Sequence, residues 1–239
     1  MTSKTKILVV DADTRLVHEV RSHLEKLGYE VITAQDGIAG LRLAQSMSPD
    51  LVVLDINFPN SRTSRKRTLD GMEVLRRLRE SSDVPILIHS TTNISAVRVM
   101  ALSIGADDYL SKPVDLVELG AQIAAILRRT RADLPGERPL SFRRLRLDPG
   151  ERRVWKDDDP IELTGIEFDV LYALARRPEH VFSRDKIIEG AWGGDSCCVP
   201  KAVDVHIGHL RKKIEDDPSC PAFIVTVRGI GYRFEDVPT

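Results

Sequence analysis

The chain has 239 residues, 42% of them hydrophobic and 30% charged, and its formal net charge is -1 at pH 7. This length allows two ordinary hydrophobic cores, and the near-zero charge excludes a protein that binds nucleic acid through overall basicity. The N-terminal stretch has no hydrophobic signal region, no apolar run reaches membrane-spanning length, and three cysteines are too few for a disulfide framework. We therefore expect a cytoplasmic protein with reduced thiols and no membrane partner.

Short apolar runs alternate with amphipathic segments through the first half of the chain. Ile7 to Val10 predicts a buried strand, and a helix follows between Asp13 or Thr14 as N-cap and Gly28 as C-cap. The same alternation continues to residue 129. It predicts right-handed βαβ units and therefore an α/β doubly wound sheet of five parallel strands with five helices.

Four of the predicted strands end in polar or charged residues. Leu51 to Leu54, an apolar run that reads as a strand buried on both faces, leads directly into Asp55. Carboxyl ends of parallel strands meet at one edge of a sheet, where open α/β sheets bind ligands. We therefore expect one crevice, centred on Asp55, to collect the residues that follow these strands: Asp11, Asp55, His89 with Ser90, and Ser111 with Lys112.

The second half of the chain follows a different pattern. Arg131 to Pro139 combines proline and glycine with charges and predicts a linker, so we assign a domain to residues 1–129, the linker to 130–140 and a second domain to 141–239. Helices and a terminal hairpin with its tip at Arg228 to Gly231 follow three short predicted strands. This order differs from the alternation of the first half and indicates a separate α+β domain. The three strands are predicted at Phe142 to Leu147, Arg153 to Lys156 and Ile161 to Leu163.

Pro200 to Ile214 predicts a helix that carries the positive charge that the whole chain lacks. Four cations, Lys201, Arg211, Lys212 and Lys213, oppose one anion, Asp204, which gives this segment a net charge of +3. Such a helix suits a DNA major groove, although a solvated basic helix would look the same. Arg211 also lies close enough to Asp204 on the helical wheel to form an internal ion pair instead.

The helical wheel divides this segment into two faces. The predicted core face holds Val203, Ile207, Leu210 and Ile214. The predicted outward face holds Lys201, Ala202, Val205, Gly208, His209, Lys212 and Lys213. The predicted DNA contacts are Lys201, Val205, His206, His209, Lys212 and Lys213 on the helix, Arg228 in the minor groove, and Thr226 and Tyr232 on phosphates.

Both halves resemble one family. The first half resembles a response-regulator receiver domain in the motifs Ile-Leu-Val-Val-Asp11, Leu-Asp55-Ile-Asn-Phe-Pro59, Ser90, Gly105-Ala-Asp-Asp-Tyr109 and Lys112-Pro113. The second half is similar to an OmpR-type winged-helix effector domain in Glu162-Leu-Thr-Gly-Ile-Glu-Phe168, Val203-Asp-Val-His-Ile207 and Thr226-Val-Arg-Gly-Ile-Gly-Tyr-Arg-Phe234. The resemblance covers nearly the whole chain and implies a flavodoxin-like receiver fold followed by a DNA-binding domain, hence a transcription regulator and not an enzyme.

The resemblance also implies the chemistry of the crevice. Asp55 would accept a phosphoryl group from a sensor histidine kinase, with Lys112 and Ser90 holding the phosphoryl oxygens. A Mg²⁺ ion would be bound by Asp11, Asp55 and the backbone carbonyl of Asn57. The other implied partners are double-stranded DNA with repeated sites, RNA polymerase, and a second copy that pairs through the fourth helix, fifth strand and fifth helix.

Two residues near this crevice have alternative interpretations. Tyr109 is either the aromatic residue that changes rotamer in the family or an ordinary half-buried tyrosine. His89 fits a residue packed beside the pocket better than a phosphoryl carrier.

One departure from the family concerns the metal. Ala12 stands where the family has a carboxylate that binds the ion directly, and Asp13, one residue further on, is either a helix N-cap or a displaced ligand. Loss of that carboxylate also removes like-charge repulsion from the pocket. We therefore expect weak Mg²⁺ binding and weak or absent phosphorylation.

Three further features leave alternatives open. The basic insertion from Asn60 to Leu69 is either a solvated loop or a cap of guanidinium groups over the acidic pocket. Ser103, Gln122 and Ala124 replace charged dimer contacts of the family, and the apolar residues of the fourth helix are either ordinary core or, where exposed, favour association by burial. Cys197 and Cys198, near where the family contacts RNA polymerase, form either an ordinary loop or a redox sensor.

The function predicted from the sequence is a DNA-binding regulator of two-component type with impaired phosphorylation. A conventional regulator activated by phosphorylation is the first alternative. A phosphoryl relay, or a protein-interaction module without DNA binding, is the alternative from a different class.

Overall fold

A computed structural model of the protein describes residues 4–58, 69–113, 115–130, 139–193 and 200–236. The chain divides into two compact units, Met1–Leu127 and Arg128–Thr239. Residues 131–138 of the predicted linker, 130–140, lie outside the described residues, so the predicted domain boundaries stay predictions. No helix among the described residues is both long and apolar enough to cross a membrane.

The first unit is a parallel sheet with helices between its strands. Its strands are β1 (Lys6–Val10), β2 (Glu30–Ala34), β3 (Leu51–Leu54), β4 (Ile86–Ser90) and β5 (Asp108–Ser111). Its helices are α1 (Thr14–Lys26), α2 (Gly37–Met47), α3 (Gly71–Ser81), α4 (Ser95–Ile104) and α5 (Leu116–Thr130). The strand order is β2-β1-β3-β4-β5, which confirms the predicted doubly wound sheet.

Local sequence signals explain how the elements of this unit begin and end. The Asp13 carboxylate accepts hydrogen bonds from the backbone amides of Arg15 and Leu16, which makes Asp13 the N-cap of α1. After α1, Gly28 adopts a φ of 93°, a conformation that glycine reaches without a steric penalty. The four residues of β3 are all buried, as expected for a strand covered by helices on both faces.

Strand register brings four strand ends to one edge of the sheet. Val10 pairs with Leu54, Leu54 with Ile88, and Ser90 with Ser111. The residues at or just beyond these ends are therefore neighbours, although up to 101 positions separate them in sequence.

The second unit combines two small antiparallel sheets with three helices. One sheet has the order β6-β7-β8-β9 and the other β10-β12-β11. The elements are β6 (Leu140–Ser141), β7 (Leu145–Asp148), β8 (Arg153–Lys156), β9 (Asp159–Ile161), α6 (Gly165–Ala175), β10 (Phe182–Ser183), α7 (Arg184–Ala191), α8 (Pro200–Ile214), β11 (Ile224–Val227) and β12 (Gly231–Phe234). This arrangement confirms the predicted winged-helix domain.

Two of the predicted strands in this unit were wrong in their bounds. The single strand predicted from Phe142 to Leu147 is instead the pair β6 and β7, because the chain reverses between them and the Phe142 amide donates to the Leu145 carbonyl. The strand predicted at Ile161 to Leu163 begins earlier, at Asp159, since Asp157 and Asp158 take positive φ angles and complete a tight turn.

Candidate acidic pocket and nucleic-acid interface

An acidic pocket lies at the carboxyl edge of the parallel sheet. The Lys112 ammonium nitrogen is 2.6 Å from Asp11 Oδ2 and 2.6 Å from Asp55 Oδ2, so one cation bridges both carboxylates. The two aspartates are 4% and 6% exposed. A buried carboxylate requires such a partner, because desolvation of an unpaired charge is costly.

The second oxygen of each carboxylate accepts a backbone amide. The Asn57 amide donates to Asp55 Oδ1 over 2.8 Å, and the Asp13 amide donates to Asp11 Oδ1 over 2.9 Å. All four carboxylate oxygens therefore have a donor within the protein. A metal ion could reach them only by displacing or sharing Lys112.

The oxygen donors at this edge fit a weakly bound hard cation. Asp11, Asp55 and the carbonyl of Asn57 are donors of the type that Mg²⁺ uses, but Ala12 contributes no side-chain oxygen. Asp13 caps α1, which supports its interpretation as an N-cap and not as a displaced ligand. Among the described residues, no group of three His, Cys, Asp or Glu side chains could hold a metal.

The side-chain amide of Asn57 contacts three consecutive hydroxyl groups, which begin at the last residue of β4. Its Nδ2 lies 2.9 Å from Ser90 Oγ, 2.7 Å from Thr91 Oγ1 and 2.9 Å from Thr92 Oγ1. The Thr92 hydroxyl also lies 3.1 Å from Asn57 Oδ1. We call these four residues the Asn57 clasp. Sequence reasoning assigned only a backbone role to Asn57 and missed Thr91 and Thr92, although three hydroxyl residues in a row at a strand end were a visible signal.

Tyr109 points into the protein and not toward solvent. It is 2% exposed, and its hydroxyl donates to the Thr92 carbonyl over 2.5 Å. Burial raises the pKa of Tyr109, so the phenol is neutral and able to donate. The Arg98 guanidinium lies 5.2 Å from the ring centroid and donates to Ser111 Oγ over 3.1 Å.

His89 is buried next to this pocket. Burial, followed by the charge of Lys112, lowers the pKa of His89 to about 4. Its Nε2 has no hydrogen-bond partner in the part of the chain that the structure describes. This position agrees with the expectation of a packed residue beside the pocket.

The predicted dimer face uses several of its charges within the chain. Asp107 accepts from Arg79 over 2.6 Å and from the Ile86 amide over 2.8 Å, and Asp108 is buried. Arg98 is held at Tyr109, as described above. Among the described residues on or next to α4 and α5, the exposed large apolar side chains are Ile94, Met100 and Val117.

On the second unit, the outward face of α8 is basic at both ends. Lys201 and Lys212 are exposed, and Val205 is half-buried between them. Two predictions for this helix were wrong: His206 is 1% exposed and packs 5.4 Å from Trp192, and Ala202 is fully buried. The predicted core face of Val203, Ile207, Leu210 and Ile214 is buried as expected.

Lys213 and His209 face α6. Lys213 Nζ lies 2.8 Å from Glu167 Oε2 and donates to the Glu162 carbonyl over 3.0 Å, while His209 Nδ1 lies 3.8 Å from Glu167 Oε1. Glu167 is buried and also accepts the Thr164 amide in the capping box of α6. Lys213 is exposed and also makes this contact within the domain, so its role as a DNA contact stays a prediction.

Asp204 joins three elements of the domain. Its Oδ1 accepts from Arg184 Nε over 2.6 Å and from the Tyr232 hydroxyl over 2.7 Å. Burial, followed by Asp204, raises the pKa of Tyr232. Tyr232 is 5% exposed, so its prediction as a phosphate contact was wrong for this conformation.

The hairpin carries the remaining predicted contacts. Arg211 donates to the Ile224 carbonyl and the Thr226 hydroxyl, so the suggested ion pair of Arg211 with Asp204 is not formed. Thr226 is exposed, and Arg228 is exposed at the tip between β11 and β12. These two residues remain available to DNA.

Comparisons with known proteins match both units. Residues 7–124 match the family model described as response regulator receiver domain, and residues 158–234 match the one described as transcriptional regulatory protein, C terminal. Response regulator MprA of Mycolicibacterium vanbaalenii is 42% identical over 98% of this chain and 98% of its own length. The chain belongs to the OmpR/PhoB-type response regulators.

Other relatives agree with this assignment. The probable transcriptional regulator ycf27 of Porphyra purpurea is 39% identical to this response regulator over 98% of this chain and 96% of its own. A solved RitR mutant has a TM-score of 0.72 at 27% identity, with coverage of 98% and 100%. The Thermotoga maritima OmpR/PhoB homologue DrrB has a TM-score of 0.50 at 29% identity, again over 98% and 100%.

The family assignment settles the broad role of the chain. It is a two-component response regulator with a DNA-binding transcription regulatory domain, and its family implies DNA and a sensor kinase as partners. Almost the whole basic insertion, with Cys197 and Cys198, lies outside the described residues, so the alternatives for them stay open.

Proposed function

We propose that this response regulator binds paired DNA sites as a homodimer, and that phosphorylation of Asp55 contributes weakly or not at all. The observation that carries the second part is the assignment of Asp13 to the N-cap of α1, because this leaves the position of Ala12 without a substitute carboxylate. Asp11, Asp55 and the Asn57 carbonyl would hold Mg²⁺ weakly. When bound, the ion would neutralise charge on the incoming phosphoryl group.

The chain's own residues have separate roles in this pocket. The Asp55 carboxylate would be the nucleophile, and Lys112, which already contacts it, would balance the added negative charge. The Ser90 hydroxyl would donate to a phosphoryl oxygen. Tyr109, already buried, would report the state of the pocket to α4 and β5.

DNA binding is supported by the charge and exposure of α8 and of the hairpin tip. Lys201 and Lys212 would contact the major-groove face of the site, with Val205 between them, and Arg228 would enter the minor groove. Because few cations face outward, one domain alone would bind modestly, and two adjacent sites would be needed for firm binding. RNA polymerase would be the downstream partner.

Dimerisation through α4, β5 and α5 would rest on apolar burial. Asp107 and Asp108 are buried within the chain, whereas Ile94, Met100 and Val117 are exposed. Exposed apolar side chains on one face favour association that does not require a charge switch.

A phosphodonor experiment tests this proposal. The full chain is incubated with Mg²⁺ and acetyl phosphate, its intact mass is measured, and its molecular weight in solution and its shift of mixed genomic DNA fragments are measured before and after. We expect little mass gain, a dimer in both samples and DNA binding in both. A phosphate-sized gain that Asp55→Ala abolishes, together with dimer formation only after treatment, would instead establish the conventional regulator.

The conventional regulator is the second candidate because Asp55, Ser90 and Lys112 are all present. Absence of any DNA shift would favour the interaction module. The mass measurement therefore tests the part of the proposal that concerns phosphorylation, and the DNA shift tests the part that concerns DNA binding.

A further inference from the structure

The Asn57 clasp links the acidic pocket to Tyr109 without a phosphoryl group. We propose that Asn57 is a positioning residue of this receiver domain, whose side-chain amide holds the segment Ser90 to Thr92 against the pocket and thereby keeps Tyr109 buried. This inference rests on the proposed function, since it explains how a weakly phosphorylated receiver could keep one dimerisation-competent conformation.

The position of Asn57 is itself fixed by Asp55. The Asn57 backbone amide donates to Asp55 Oδ1, and Asp55 Oδ2 is fixed by Lys112, so the backbone that carries the amide cannot move independently of the pocket. The amide nitrogen then lies within 2.9 Å of three hydroxyl oxygens. A group attached to Asp55 would reach the same Ser90 hydroxyl, so the clasp occupies the position in which a phosphoryl oxygen would order this segment.

Thr92 carries the effect from the clasp to Tyr109. Its side chain contacts both heteroatoms of the Asn57 amide, and its carbonyl accepts from the Tyr109 hydroxyl. The Thr92 backbone amide also donates to Ser90 Oγ over 3.2 Å, which keeps the turn compact. A displacement of Thr92 would therefore break its contacts with Asn57 and with Tyr109 together.

The surroundings of Tyr109 respond to its position. Arg98 of α4 lies over its ring and bonds Ser111 of β5, so an outward ring would have to displace this guanidinium group from the surface between α4 and β5. A receiver that prefers one of two conformations needs a contact that differs between them. The Asn57 clasp supplies such a contact within the chain.

Fluorine NMR on the full-length protein tests the proposal. Fluorotyrosine is incorporated at position 109 alone, and spectra are recorded without Mg²⁺ or phosphodonor, in the presence of a soluble paramagnetic agent that broadens exposed resonances. The unsubstituted chain should show one protected resonance. Asn57→Ala should add an exposed resonance and lower the ratio of protected to exposed tyrosine at least tenfold.

Two further variants separate positioning from general stability. Thr91→Ala removes a hydroxyl that contacts Asn57 but bonds nothing on the route to Tyr109, so it should leave the protected resonance in place. Thr92→Val removes the hydroxyl on that route and should resemble Asn57→Ala. Circular dichroism confirms that each variant remains folded.

Either of two results would overturn the inference: an exposed Tyr109 in the unsubstituted chain, or a protected Tyr109 in folded Asn57→Ala. Neither readout depends on DNA binding or on mass gain from a phosphodonor. The inference about Asn57 can therefore be overturned while the proposed function stands. The proposed function can likewise be overturned while the inference about Asn57 stands.

Discussion

Lys112 and Asp55 lie in direct contact, with the ammonium nitrogen 2.6 Å from one carboxylate oxygen. Because Lys112 makes an equal contact with Asp11, the two carboxylates share one positive charge. With a further acid at position 12 the same lysine would face three carboxylates. Ala12 therefore leaves the pocket closer to neutral without a metal ion, at the expense of affinity for one.

A carboxylate added at position 12 should increase metal binding. We expect Ala12→Asp to raise Mg²⁺ affinity by at least about tenfold, since one more charged oxygen ligand is worth on the order of 1.4 kcal/mol or more. Calorimetric titration with MgCl₂ measures this change, and intact mass after acetyl phosphate treatment should show a faster gain.

Asp13→Ala is the matched control for that change. Asp13 caps α1, so its loss should lower the free energy of unfolding by about 1 kcal/mol and leave Mg²⁺ affinity unchanged. A large fall in Mg²⁺ affinity in this variant would show that Asp13 is a metal ligand after all.

His89 should make the receiver less stable in acid. Its pKa is lowered from 6.5 to about 4 in the folded protein, so between these pH values the unfolded chain binds more protons than the folded one. The contribution of His89 to the free energy of unfolding is therefore fully present above about pH 6.5. It falls by about 3 kcal/mol as the pH drops to about 4. Urea unfolding monitored by hydrogen exchange of β3 and β4 peptides measures the loss.

His89→Leu provides the comparison, because leucine has no proton to gain. The difference in unfolding free energy between this variant and the unsubstituted chain should depend on pH in the same window. If the unfolding free energies of the two proteins changed with pH in parallel, His89 would be excluded as the source of the acid sensitivity.

Substitutions of Tyr232 and Arg228 should differ in their effect on DNA binding. Tyr232→Phe removes a hydrogen bond to Asp204, so it should lower the free energy of unfolding by about 1 kcal/mol and leave DNA affinity and its dependence on salt unchanged. Arg228→Ala should reduce the slope of log affinity against log salt by about 1, since an exposed cation is lost from the contact. Fluorescence anisotropy over a salt series distinguishes the two, and a loss of DNA affinity in folded Tyr232→Phe would restore Tyr232 as a phosphate contact.

Lys212 and Lys213 offer a test with adjacent residues. Lys213→Ala leaves buried Glu167 without its nearest cation and should cost about 2 kcal/mol of folding stability. Lys212→Ala should leave stability within about 0.5 kcal/mol and weaken DNA binding. Thermal unfolding and DNA titration of both variants check this difference. Equal losses of DNA affinity in two variants of equal stability would contradict it.

The order of elements, the place of the acidic residues at strand ends and the basic segment of α8 could all be predicted from the chain before folding is considered. These follow from local patterns: apolar runs of strand length, the residue that ends each run, and charge counted within one helix. Asp13 as an N-cap is equally local, because its carboxylate bonds amides only two and three residues away.

Packing between distant elements specifies which of two neighbouring lysines on α8 contacts a buried carboxylate. Successive helical residues differ by about 100° around the axis, so Lys212 and Lys213 look equivalent in the sequence, but only Lys213 meets Glu167, 46 residues away. Tyr232 meets Asp204 across 28 residues, and Asn57 meets Thr92 across 35. These contacts depend on how separate elements pack, so even the visible run of hydroxyl residues from Ser90 to Thr92 does not name Asn57 as its partner.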